Sequence, residues 1–109
     1  MVTKDEFVLG LHRIPRGKTG RDGKKRPVVL LWHGFLMCSE VFVCRPDPGE
    51  CLPFVLADLG YDVWLANSRG NKYSCKHLKH SPGHSAFWDF SMDEIAIYDI
   101  PAVIDVRLF

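Results

Sequence analysis

His33, Gly34 and Phe35 stand directly after the apolar run Val28-Val29-Leu30-Leu31-Trp32. Five consecutive apolar residues suit a strand buried on both faces. A glycine just beyond lets the backbone turn sharply. In open α/β sheets, chemistry is placed outside the carboxyl ends of the strands. A His-Gly-apolar turn at such an end can aim a backbone N–H at a developing oxyanion. Strand-then-glycine also makes plain connections, so the motif needs the rest of the chain to decide between the two.

Other residues have chemistry to offer. Cys75, His77, His80 and His84 are the ligand types zinc takes. Their spacing fits no closed four-ligand pattern, and no matching ligand pair stands elsewhere. Gly83-His84-Ser85-Ala86-Phe87 comes close to Gly-x-Ser-x-Gly, the nucleophile elbow of serine hydrolases. Phe87 is too large for the elbow's last position, and Lys79-His80-Ser81-Pro82 before it reads as loop rather than buried strand. No other Gly-x-Ser-x-Gly occurs. Arg69, between Ser68 and Gly70, could bind a substrate anion; the favoured reading is that its fork fixes the loop through carboxylates or carbonyls. Phe87, Trp88 and Phe90 read first as packing, and in a sharper version as the wall of an acyl-chain pocket.

The elements that must position these residues follow from periodicity. Phe7 to Ile14 alternates loosely, with Phe7, Leu9 and Leu11 on one face, as in a half-buried strand that Pro15 stops. Residues 16–26 form a glycine-rich loop with six basic residues and no phosphate-loop spacing. Leu52, Val55, Leu56 and Leu59 recur at helical spacing, with Pro53 in the first turn and Gly60 as the stop. Tyr61 to Ala66 is a second buried strand. Residues 28–66 thus predict a βαβ unit with parallel pairing and a right-handed crossover. Asn67 to Asn71 is a turn at the second strand's end, and a long polar loop runs to about residue 86. Ser91-Met92-Asp93-Glu94 spells a capping box. A second helix start is expected at Asp99, with Pro101 in its first turn and Ile100, Val103, Ile104 and Leu108 as its stripe. That pattern runs to Phe109, as if the domain were cut.

Composition narrows the class. The 109 residues have room for one domain, and 47% hydrophobic with 25% charged residues is ordinary globular material. A net charge of +1 gives no global reason to expect nucleic acid or an anionic membrane. No apolar run approaches the roughly 20 residues that span a bilayer. Met1 to Glu6 lacks a signal peptide's apolar core, so as written the chain is expected in the cytosol. In that reducing compartment the four cysteines, at 38, 44, 51 and 75 with no Cys-x-x-Cys, read as free thiols behaving as small apolar residues.

Five ordered motifs carry a resemblance: residues 7–18 (Phe-Val-Leu-Gly-Leu-His-Arg-Ile-Pro-Arg-Gly-Lys), 30–36 (Leu-Leu-Trp-His-Gly-Phe-Leu), 56–71 (Leu-Ala-Asp-Leu-Gly-Tyr-Asp-Val-Trp-Leu-Ala-Asn-Ser-Arg-Gly-Asn), 87–94 (Phe-Trp-Asp-Phe-Ser-Met-Asp-Glu) and 98–102 (Tyr-Asp-Ile-Pro-Ala). Over nearly its whole length the chain resembles the acid lipase family of α/β-hydrolases, which includes lysosomal acid lipase, gastric lipase and fungal steryl ester hydrolases. Residues 37–39 and 41–44 look more like the fungal branch. The resemblance implies the N-terminal part of an α/β-hydrolase fold: antiparallel N-terminal strands, then a βαβ unit of a mainly parallel sheet, incomplete, with residues 1–109 ending before the nucleophile elbow. It implies hydrolysis of steryl esters or triacylglycerols by a Ser-Asp-His triad, with no cofactor or metal. His33-Gly34-Phe35 matches the family's His-Gly-Leu oxyanion turn, and the Phe35 N–H would be one donor. The other donor and the triad lie further along the family pattern, so the chain alone is expected to be inactive. Implied partners are a lipid ester and a lipid surface, with a membrane or lipid-droplet location if an anchor lies upstream. Two other readings stay open: a non-catalytic module that pairs with a full-length lipase, and a small metal-binding protein.

Overall fold

The computed structural model describes residues 1–17 and 25–106. Most of the basic loop, 18–24, and Leu108 in the expected last stripe fall outside them. The chain forms two units, one from residues 12–66 and one from 1–11 with 67–109.

The 12–66 unit holds the predicted βαβ arrangement. Its sheet runs β2 (Leu11–Ile14), β4 (Asp62–Ala66), β3 (Val28–Leu31), with β4 in the middle. β3 and β4 are parallel, in register from Val28 opposite Asp62 to Leu31 opposite Leu65. Helix α1 (Leu52–Asp58) connects them. Pro53 sits in its first turn, where a missing N–H costs nothing. Gly60 follows its end at φ +101°, a left-handed conformation that favours glycine. Ala57, Val63 and Leu65 are the buried centre of the unit, packed by Ile14, Leu31, Phe42, Val43, Leu56 and Tyr61. The predicted helix stripe needs correction. Leu52 and Leu59 are exposed, while Pro53 and Ala57 are buried. Of this helix, Ala57 joins the core with Val63 and Leu65 and Leu56 packs against it, so the contact centres on 56–57 rather than on the whole stripe. On the sheet's surface Arg13 of β2 grips Asp62 of β4 with two hydrogen bonds, 2.9 and 2.8 Å, and lies over the Trp64 ring.

The second unit pairs β1 (Phe7–Val8) with β5 (Lys76–His77), antiparallel, Phe7 opposite His77. The single strand expected over 7–14 is therefore two strands. Gly10 explains the break. Its N–H donates to Ser74 Oγ and its carbonyl accepts from Asn67 Nδ2, so side chains replace the ladder there. A Cβ at Gly10 would lie 2.5 Å from the Tyr73 carbonyl oxygen, so only glycine fits.

The last segment also departs from expectation. The Ser91 capping box forms: Ser91 Oγ accepts from the Asp93 N–H, and the Glu94 carboxylate accepts from the Ser91 N–H at 2.7 Å. No new helix starts at Asp99. Helix α2 (Met92–Glu94) continues through a π-turn (Ile95–Asp99) into α3 (Ile100–Asp105). Proline clashes with the carbonyl four residues back, and the wider turn before Pro101 makes room for its ring. Asp99 makes no cap and is fully buried. All four cysteines are free, but only Cys51 is buried; Cys44 and Cys75 are exposed, so most do not act as core residues.

Candidate functional site

β3 runs through Trp32 into a turn closed by the Met37 N–H donating to the Gly34 carbonyl at 3.2 Å. His33 Nδ1 donates to the same carbonyl at 2.8 Å; a carbonyl oxygen only accepts, so this nitrogen carries the proton. Leu36, the third residue of the turn, has φ +60°. Positive φ there suits a type II turn, where glycine is the usual occupant. Holding leucine in it costs roughly 1–2 kcal/mol. Such outliers concentrate at functional sites. Phe35 makes no hydrogen bond among the described residues and is 69% exposed; Leu36 is 89% exposed and Met37 is exposed as well. Beyond the turn, the buried Ser39 begins a 3-10 turn (Ser39–Phe42), and its hydroxyl is 3.0 Å from His12 Nδ1 of β2. The turn is thus anchored to the sheet at both ends.

Arg69, in the turn after β4, is enclosed. Its Nε and Nη2 donate to Asp99 Oδ1 at 2.9 and 2.7 Å, and its backbone N–H donates to Asp99 Oδ2 at 2.9 Å. Nη1 and Nη2 donate to the two Asp5 oxygens at 2.6 and 3.0 Å. The guanidinium lies 4.1 Å from the Phe7 ring centroid and is flanked by Phe90 and Tyr98. The arginine and Asp99 side chains are both 0% exposed. Burial works against the charged guanidinium, but its bonds to Asp5 and Asp99 outweigh this and hold its proton above the usual arginine range. The two carboxyls move in opposite directions. Burial pushes Asp99 up, more than the Arg69 bonds pull it down. Asp5 is less deeply placed, so burial is overcome by hydrogen bonds from Arg69 and Thr3, and its carboxyl sits below the usual range. With every guanidinium nitrogen engaged, Arg69 has nothing left for a substrate anion. Its structural reading stands. The sequence reading missed both of its partners, Asp5 and Asp99.

The remaining candidates separate in the same way. Ser85 begins a 3-10 turn (Ser85–Trp88) and follows no buried strand. Phe87 is fully buried against Phe7, centroids 5.2 Å apart, so the position that an elbow keeps small is a core aromatic. His77 uses both ring nitrogens: Nε2 donates to the Asp5 carbonyl, and Nδ1 accepts from the N–H groups of Lys79 and His80. Neither can turn to a metal without breaking these bonds. No group of three or more metal-ligating side chains gathers among the described residues.

The family model described as "Partial alpha/beta-hydrolase lipase region" matches residues 1–46, the stretch that contains β1, β2, β3 and the His33–Met37 turn. A probable lipase of Schizosaccharomyces pombe is 53% identical over 97% of the chain and 24% of its own length. Lipase member K of Homo sapiens is 50% identical over 96% of the chain and 26% of its own length. Gastric triacylglycerol lipase of Rattus norvegicus is 48% identical over 96% and 27%. Residues 1–46 thus match a partial α/β-hydrolase lipase region, and nearly the whole chain is similar to part of these lipases. The chain spans about a quarter of the length of the curated relatives it matches. For an α/β-hydrolase lipase region, a parallel strand ending in an outward turn is the informative part: it is where such a fold places main-chain donors.

Proposed function

We propose that this region belongs to a carboxylic-ester hydrolase acting on lipid esters, steryl esters or triacylglycerols, and that the Phe35 N–H is one donor of its oxyanion hole. The observation that carries the reading is the Phe35 N–H itself: no partner among the described residues, on an anchored and strained turn at the carboxyl end of a parallel strand. A main-chain donor explains why phenylalanine can stand there. The exposed Phe35, Leu36 and Met37 side chains suit a lipid chain or lipid surface. Residues 1–109 are read as part of a larger domain. β3 ends the sheet among the described strands, its four residues only half-buried, and Ile97, Ile100 and Ile104 are exposed.

Since the sequence contains no Gly-x-Ser-x-Gly, the 109-residue chain alone should not turn over a p-nitrophenyl ester. Turnover abolished by a serine-reactive phosphonate would refute that. The donor is tested in a chimera, with residues 1–109 replacing the matching region of the fission-yeast relative. Phe35→Pro removes the N–H, at a turn position where proline is favoured, along with the ring, and should lower kcat by about 10²–10³; Phe35→Leu, which also loses the ring but keeps the N–H, should leave kcat within a few-fold. An unchanged kcat in a folded Phe35→Pro chimera would remove Phe35 from the site.

A further inference from the structure

We propose that His33 is a positioning residue that aims the Phe35 N–H by pinning the far side of the same peptide group. A peptide unit is planar and trans, and no bond among the described residues is cis. Its carbonyl and its N–H therefore point in opposite directions from one rigid plate. The Gly34 carbonyl and the Phe35 N–H are the two ends of one such plate. That carbonyl accepts from His33 Nδ1 at 2.8 Å and from the Met37 N–H at 3.2 Å. A carbonyl oxygen offers two lone pairs, and both are taken. The plate cannot rotate about its flanking torsions without breaking both bonds. The Met37 bond is at the long end of the normal range, and it closes a turn strained at Leu36. The His33 bond is the short one and comes from the residue that leaves the strand, so the sheet's rigidity reaches Phe35 through the imidazole. The proton on Nδ1 is common to neutral and protonated imidazole, so this histidine donates without acting as acid or base.

The inference deepens the oxyanion reading and rests on it for its catalytic meaning, while its geometry is testable without chemistry. In ¹⁵N-labelled 109-residue chain, the Phe35 amide should show an order parameter of about 0.85. His33→Ala should lower it below about 0.6, with the urea midpoint unchanged. His33→Asn, whose side-chain amide reaches the Nδ1 position, should restore it. An ordered Phe35 amide in folded His33→Ala, or failure of His33→Asn to restore order, overturns the proposal. Should His33→Ala unfold the chain, the wild type still decides. A His33 Hδ1 resonance coupled through the hydrogen bond to the Gly34 carbonyl carbon is required, and its absence overturns the proposal. In the chimera, His33→Ala should lower kcat about tenfold with KM unchanged, and His33→Asn should recover it. Order that depends on His33 while Phe35→Pro leaves kcat intact would refute the oxyanion reading and leave the positioning role standing.

Discussion

Each parallel strand of the βαβ unit ends in a turn, and the two turns are built on opposite terms. After β4, Arg69 is buried with every guanidinium nitrogen matched to a carboxylate. After β3, Phe35 is exposed, its N–H has no partner among the described residues, and Leu36 beside it holds a strained φ. A saturated polar group in the interior is finished as structure. An unmatched donor on a rigid, strained, exposed turn has capacity left over. The charged side chain therefore carries the architecture, and the uncharged backbone amide carries the candidate chemistry.

The largest effect expected from breaking this contrast is at Arg69. Arg69→Met would leave two carboxylates around an empty centre, one of them fully buried, and should cost about 3–5 kcal/mol. Urea denaturation of the whole chain measures it. A loss below about 1 kcal/mol would mean that the enclosed turn is no more structural than the open one.

At the other turn the sign should reverse. Leu36→Gly relieves the left-handed strain, offset by the greater freedom of glycine in the unfolded chain, and should stabilise by about 1 kcal/mol or somewhat less. The urea midpoint should rise while order at the Phe35 amide falls. A destabilised variant would show that Leu36 is held there by packing.

The smallest effect separates the two partners of Arg69 by pH. Asp5, held below the ordinary 3.8, contributes stability that is complete above that value and is lost as pH falls through its lowered folded value. Glu94, held below 4.5 by its bonds to Ser91, acts in the same direction. Asp99 is held above 3.8, so its ionisation costs stability, and that cost is relieved as pH falls through its raised folded value. Acidification through Asp99's raised folded value should raise the urea midpoint before stronger acid lowers it. Asp99→Asn should abolish the rise and keep the fall. A rise that persists in Asp99→Asn would place its origin elsewhere.

The elements that local chemistry decides were legible in the sequence. The apolar run before His33, Pro53 and Gly60 at the ends of α1, and the Ser91–Glu94 box each need only a few neighbouring residues. What was not legible depends on contacts from far along the chain. Gly10 splits β1 from β2 because residues 67, 73 and 74 crowd it. Asp99 resembles a cap before Pro101, yet Arg69, thirty residues earlier, claims its carboxylate. The stripe of α1 held at Leu56 and failed at Leu52 and Leu59, because apolar spacing alone does not say how much of so short a helix meets the core. At the candidate site, the motif pointed to the Phe35 N–H, but a leucine gives no warning of a positive φ.

The π-turn at Ile95–Asp99 has one more consequence. A π-turn holds about one residue more than an α-turn, and each residue advances a helix by about 100°. The faces of α2 and α3 are therefore out of phase with a continuous α-helix. Deleting any one residue between Ile95 and Tyr98 would let the segment regularise. The turn would then hold an α-turn's complement, so the upstream capping box would keep its face relative to Asp99 and Val103. A single-codon deletion here would therefore be absorbed by the π-turn, whereas the same deletion inside α3 would rotate one half of the helix against the other by about 100°.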